Sequence, residues 1–184
     1  LFRSKDYAKS MTILGDIAQG IFSFYGLDRW EEIESYVFKE KEYKRLHLQT
    51  SYRSTKQIMD MANRVLLNSN YDFPLVIPVN RHGNVPSIKK VQSIGELYDE
   101  MVSSIKIFKE KGYKKIAILT ATRQGAIDTF DQLKRRNVTQ MEVITEGHQE
   151  LKEKIVIIPS YLVKGLEFDA VMIEDVSDET FKDE

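Results

Sequence analysis

Three short stretches of this 184-residue chain combine residue types suited to a phosphorylated ligand. In Gly15-Asp-Ile-Ala-Gln19, a Gln follows a Gly-Asp turn at the end of an apolar run. Strand ends in parallel sheets form ligand crevices, and a Gln there could hydrogen-bond a phosphate or an attacking water. Phe22, Phe24 and Tyr25 come next. Clustered aromatics can stack on bases, each contributing about 1–3 kcal/mol. The plain alternative is a turn followed by core packing. In Leu48-Gln-Thr-Ser-Tyr-Arg-Ser-Thr55, Arg53 stands at a helix start. The helix dipole disfavours a cation there, so the guanidinium is better placed reaching a phosphate. In phosphoryl transfer an arginine that neutralises charge contributes roughly 10³–10⁵ in rate. Its plain alternative is a surface arginine beside a cap. In Tyr161-Leu-Val-Lys-Gly-Leu-Glu-Phe-Asp169, Gly165 permits close backbone approach and Glu167 could accept from a ribose hydroxyl. The alternative there is an ordinary strand-to-helix connection with solvated Lys164 and Glu167.

These stretches need elements to hold them. Residues 11–16 read as a buried strand and turn, and 28–38 as a helix with Asp28 as its cap. Residues 46–50 alternate like a short strand. A helix follows, capped by Ser54 or Thr55, with Ile58, Met61, Ala62, Val65 and Leu66 at helical spacing. Prolines 74, 78 and 86 and Gly83 mark a looping region with one or two short strands, and 87–91 reads as another strand. An amphipathic helix over 94–111 stops at Gly112. Strands are expected at 115–120, 141–145, 154–159 and 170–173, with a helix over 124–136. Near-continuous β-branched runs alternating with helices predict an α/β fold, a parallel sheet flanked by helices on both faces.

Composition removes several classes of function. There are 27 Lys plus Arg against 28 Asp plus Glu, a net charge of −1, so this is no DNA-coating basic module. A local nucleic-acid groove stays open. The chain has no cysteine, which excludes disulfides and thiolate metal sites. His47, His82 and His148 lack ligand spacing, and no metal site is expected. No apolar run approaches the roughly 18 residues of a membrane span. The start lacks Met and resembles no signal peptide, which predicts a piece of a longer protein.

Taken in order, the three stretches resemble consecutive motifs of superfamily 1 helicases of the UvrD/Rep/PcrA type. The family's G-D-x-x-Q-S-I-Y is similar to Gly15-Asp16-x-x-Gln19-Gly20-Ile21-Phe22, and its N-Y-R-S-T to Ser51-Tyr52-Arg53-Ser54-Thr55. K-G-L-E-F matches Lys164 to Phe168 without change. Residues 117–123 resemble the family's strand before its inserted subdomain. The resemblance implies a RecA-like (P-loop NTPase type) fold and a cytoplasmic ATP-dependent DNA helicase. It implies that Gln19 contacts the γ-phosphate and its water, and that Arg53 is an arginine finger. It gives Glu167 the ATP ribose, lets the Gly165 backbone come close, and places Phe22 and Phe24 where bases stack. Residues 1–45 would be a remnant of the first motor domain, and 46–184 the second, truncated before the last helicase motif.

The departures from the family are as informative. No G-x-x-x-x-G-K-[ST] phosphate loop occurs, and no paired acids precede Gly15 to hold Mg²⁺. ATP and Mg²⁺ are therefore expected at a site shared with the protein's own N-terminal motor domain, with the Mg²⁺ ligands outside this chain, which alone should be inactive. Only residues 124–154 stand where the family inserts a large subdomain. Where the family places a Thr and a His against the DNA strand, this chain has Pro159 and Tyr161; Tyr161 could still stack. That stretch is similar to the HelD (helicase IV-like) group, whose members use ATP to recycle RNA polymerase. The expected partners are thus single-stranded DNA or RNA polymerase. A non-catalytic interaction domain and an unrelated nucleotide-binding domain are the remaining readings. Whether Lys114, Lys115, Arg123, Lys134, Arg135 and Arg136 form one patch or are solvated element ends is left open by the sequence.

Overall fold

The computed structural model describes residues 12–16, 29–37, 43–68, 74–146, 151–174 and 176. The chain falls into two compact units, Leu1–Ile88 and Lys89–Glu184.

The described residues of the first unit hold two helices. Helix α1 spans Trp30–Val37. Arg45 clasps it with a two-pronged contact to Glu34 at 2.7 and 2.6 Å and a third contact to Glu31 at 2.8 Å. Gly15 lies against Trp30; a Cβ there would sit 3.0 Å from the indole Cη2. The strand expected over 11–16 is not formed. Residues 12–16 pair with no strand among the described residues, and Leu14 is 83% exposed. An apolar run becomes a strand only when neighbours take up its backbone groups.

Strand β1 (Thr50–Ser51), helix α2 (Lys56–Leu67) and strand β2 (Ile77–Pro78) form a small crossover. The two strands are parallel, Thr50 opposite Ile77. Of the strand expected over 46–50 only Thr50 pairs, as Leu46 and Leu48 are exposed and bury no face. Asn63 ties α2 to the returning chain, donating to the Val76 carbonyl at 2.8 Å and accepting its N–H at 3.0 Å. Thr55 is the α2 N-cap, but its side chain makes no capping bond.

The second unit carries the larger sheet. Helix α3 (Ile94–Glu110) begins at Ser93, whose Oγ accepts the Glu96 N–H at 3.1 Å, while Glu96 accepts the Gln92 N–H at 2.6 Å. It ends as its sequence requires. Gly112 adopts φ +80°, the Tyr113 N–H reaches the Phe108 carbonyl, and the Gly112 N–H reaches Lys109. Strand β3 (Ile116–Thr120), helix α4 (Arg123–Arg135), and strands β4 (Met141–Val143), β5 (Ile155–Pro159) and β6 (Ala170–Ile173) follow. Asn137, at φ +61°, closes α4 as Gly112 closes α3. The strand expected over 87–91 is not formed, and Ile88 is exposed.

All pairings in this sheet are parallel, in the order β4-β5-β3-β6. The two inner strands are the most apolar, and all five residues of β5 are buried. Ile116, Ile118, Ile155 and Ile157 share one face and pack against Tyr98, Met101 and Ile105 of α3 and Ala126 and Leu133 of α4. Both helices of this unit therefore cover the same face. On the other face, Val156, Ile158 and Ile144 are covered by Leu151, Leu162, Val163, Leu166 and Phe168. The parallel α/β reading holds, and within this unit the second cover is a looping segment rather than a helix. Glu174, just past β6, takes hydrogen bonds from Tyr98 and Thr129 and so joins the sheet to both helices. Burial first, then Glu174, pushes the Tyr98 phenol up.

Candidate nucleotide and nucleic-acid site

The connection leaving β5 is shaped by alternate anchoring. A 3-10 turn, Ser160–Leu162, follows Pro159 directly. The Leu166 N–H then closes a turn on the Val163 carbonyl at 3.0 Å. Its third residue is Gly165 at φ +84°, the conformation a turn of this kind reserves for glycine. Leu162, Val163, Leu166 and Phe168 point into the Ile158 cluster. Lys164, Gly165 and Glu167 are left exposed. The apolar residues thus act as pegs, and the chemistry-bearing residues stand between them. Tyr161 is half-buried within the 3-10 turn. Residues with interactions of their own include Tyr161, Lys164 and Glu167, so none is an idle side chain.

Asp169 fastens the far end. Its Oδ2 accepts the backbone N–H of Lys114 at 2.7 Å and of Lys115 at 2.9 Å, just before β3. The Lys115 and then the Lys114 bond hold its carboxyl below the ordinary range. The folded value lies below the unfolded one. The stabilisation is therefore complete above the unfolded carboxylate range and is lost as pH falls through the folded value. Asp169→Asn should flatten the acid limb of stability below about pH 4, read as denaturant midpoint against pH. An unchanged acid limb would count against this tether. Sequence reading did not single out this role. Its signal was an Asp directly after the motif and directly before the apolar run of β6.

In the first unit, Arg53 sits between β1 and α2 and is exposed. Its backbone N–H faces Ser51 Oγ at 3.4 Å, and its carbonyl accepts from Arg81 Nη2 at 2.7 Å. Arg81 in turn accepts the Lys56 N–H through its carbonyl at 2.8 Å, at the first turn of α2. Gln57 accepts the Gly83 N–H at 2.9 Å, and a Cβ on Gly83 would lie 2.5 Å from Thr55 Cγ2. Residues 79–83 thus grip the loop that presents Arg53. That grip comes from a segment about 28 positions away, beyond what local spacing reveals.

Tyr161, Gly165 and Glu167 therefore share one connection of the second unit, and Arg53 belongs to the first. Gln19, Phe22 and Phe24 lie outside the described residues. Among the described residues no three His, Cys, Asp or Glu groups come together to hold a metal ion. No described helix is long and apolar enough to cross a membrane. The basic residues noted in the sequence do not act as one group. Lys115 is bound to the Leu151 and Glu153 carbonyls, Arg123 pairs with Glu146, and Arg136 pairs with Asp99.

Comparison with known proteins adds a family. The model of the UvrD-like helicase C-terminal domain matches residues 46–146. The ATP-dependent DNA helicase PcrA of Leuconostoc citreum is 25% identical over 162 residues, 84% of this chain and 21% of that protein. The chain thus spans about a fifth of that curated relative. The crystal structure of the C-terminal domain of a possible DNA helicase from Lactobacillus plantarum WCFS1 is similar with a TM-score of 0.59 and 27% identity. That likeness covers 72% of this chain and 73% of the other.

Proposed function

This chain belongs to the UvrD-like helicase C-terminal domain family, and from that membership we propose that it serves as the C-terminal motor half of an ATP-dependent DNA helicase or translocase. The observation that carries this reading is the pegged connection after β5. It holds a left-handed Gly165 and an exposed Glu167 at a K-G-L-E-F stretch.

In this reading the nucleotide site is shared with an N-terminal motor domain that supplies the phosphate loop and the Mg²⁺ ligands. ATP provides the phosphoryl bond whose hydrolysis drives relative motion of the two halves. Glu167 accepts from the ribose, and Gly165, with no Cβ, allows its backbone to come close. Arg53 brings a fixed positive fork to the negative charge that develops on the phosphoryl oxygens. Gln19 orients the attacking water. Phe22, Phe24 and Tyr161 stack on single-stranded bases, with residues 1–45 belonging to the first motor domain.

The test is ATP turnover by the chain combined with that N-terminal domain, with and without single-stranded DNA. Strong stimulation by DNA, and no turnover by the chain alone, is the expected result. Turnover absent from the combined protein would sink the ATPase reading.

Pro159 favours a second reading. It is buried at the end of β5 and has no N–H to offer a DNA strand. A HelD-like ATPase acting on RNA polymerase would tolerate that loss. Turnover indifferent to DNA but raised by RNA polymerase would select it. A purely non-catalytic interaction domain would keep its partner binding when Gln19, Arg53 and Glu167 are all replaced.

A further inference from the structure

The second unit carries a cleft of about 280 Å³ lined by Lys109, Gly112, Tyr113, Lys114, Gln140 and Lys154. These residues precede β3, β4 and β5, so the cleft lies at the N-terminal edge of the sheet. The 159–169 connection leaves from the opposite edge. Three lysines line one concavity, Lys109 and Lys114 from the end of α3 and Lys154 from just before β5. Among the described residues none of them forms an ion pair with a carboxylate. The nearby Asp169 carboxylate is engaged by two backbone N–H groups.

The helix dipole accounts for only one of the three cations. Lys109 lies in the last turn of α3, where a cation is favoured. Lys114 and Lys154 stand before strands, where no such field operates. The rim is also held firmly. Gly112 and Tyr113 are locked by the α3 terminus, and Phe108 packs on the Tyr113 ring at 5.7 Å. Gln140 adopts φ +60°, a strained conformation for a non-glycine residue, while its carbonyl accepts the Ile155 N–H at 3.1 Å. Lys114 also acts on the Asp169 carboxylate, but a concavity with three clustered lysines still gathers anions.

We infer that this cleft binds the phosphates of a single-stranded nucleic acid, as a contact separate from the motif end of the sheet. The charge count calls for a ligand with several anionic groups, and a nucleic-acid strand carries one per nucleotide. The cleft contains lysines and no arginine. Planar carboxylates are matched best by the arginine fork, whereas lysine binds phosphate as a point charge. An acidic protein segment is therefore the less suited occupant.

The test is binding of a fluorescent oligothymidylate to the full chain by anisotropy, across a potassium chloride series. The cleft variant is K109Q/K114Q/K154Q. The control is K44Q/R64Q/K106Q, which removes equal charge from exposed positions elsewhere. Each phosphate contact adds about 0.7 to the log–log salt slope for single strands, so the cleft variant should lose about 2. Its affinity at low salt should fall at least about tenfold, with the control close to wild type. Equal slopes in wild type and cleft variant, with matched thermal melts, would overturn the inference. Equal losses in the cleft and control variants would overturn it too. Displacement of the strand by inorganic phosphate at fixed ionic strength would mark a small-anion site and likewise overturn it. None of these outcomes depends on ATP turnover, so the inference and the ATPase reading fail separately.

Discussion

Arg53→Ala is expected to lower ATP turnover of the combined two-domain protein by about 10³-fold or more, with the fold intact. The loop that presents Arg53 is anchored through its backbone. Arg53 is held through its N–H toward Ser51 and its carbonyl toward Arg81 Nη2, and both contacts survive truncation to Ala. The side chain is exposed, so no core cavity opens. Stability should therefore move by no more than about 0.5 kcal/mol, the usual scale for a surface change. Arg53→Lys keeps the charge but loses the planar fork, and it should recover only part of the rate. Single-turnover hydrolysis, paired with a denaturant melt, separates the two effects. Turnover unchanged in Arg53→Ala would remove Arg53 from the site, whatever the family motif suggests.

The largest stability loss is expected from the central strand. Ile157→Ala should cost about 3–5 kcal/mol, and Ile158→Ala about 2–3 kcal/mol, within the range seen for deleted core methylenes. The two side chains are adjacent, equally buried and alike in size, at 0% and 1% exposure. They differ in what covers them. Ile157 faces α3 and α4, whose packing cannot easily relax. Ile158 faces the 3-10 turn and the loop through Phe168, which can collapse partway into the vacated volume. The cost of a cavity depends on that relaxation. Guanidinium unfolding of both variants tests the order, and a larger loss at Ile158 would refute this view of the sheet. Ile158→Ala should also weaken the proposed nucleotide contacts of Gly165 and Glu167, since the pegs beneath them rest on it.

The site was unevenly legible. K-G-L-E-F could be read from the residues because its apolar positions and its glycine are tied to one local turn. The anchoring of Arg53 could not, because Arg81 reaches it from a different segment. Asp169 was passed over for a similar reason: its partners are the N–H groups of Lys114 and Lys115, just before another strand. Gln19, Phe22 and Phe24 lie outside the described residues and keep the status of expectations.

What the sequence determined by itself were the elements whose signals are local. Ser93 and Glu96 start α3 and Gly112 ends it, because caps and left-handed glycines act within a few residues. The long apolar runs of β3 and β5 announced inner strands of a parallel sheet, since only burial on both faces favours them. Tertiary structure alone decided the rest. The stretches expected as strands at 11–16, 46–50 and 87–91 do not become full strands among the described residues, because a strand exists only with partners for its backbone groups. It also decided that α3 and α4 share a face, and that Lys154 comes to line one cleft with Lys109 and Lys114. Both outcomes follow from how crossovers bring remote segments together, which no local spacing encodes.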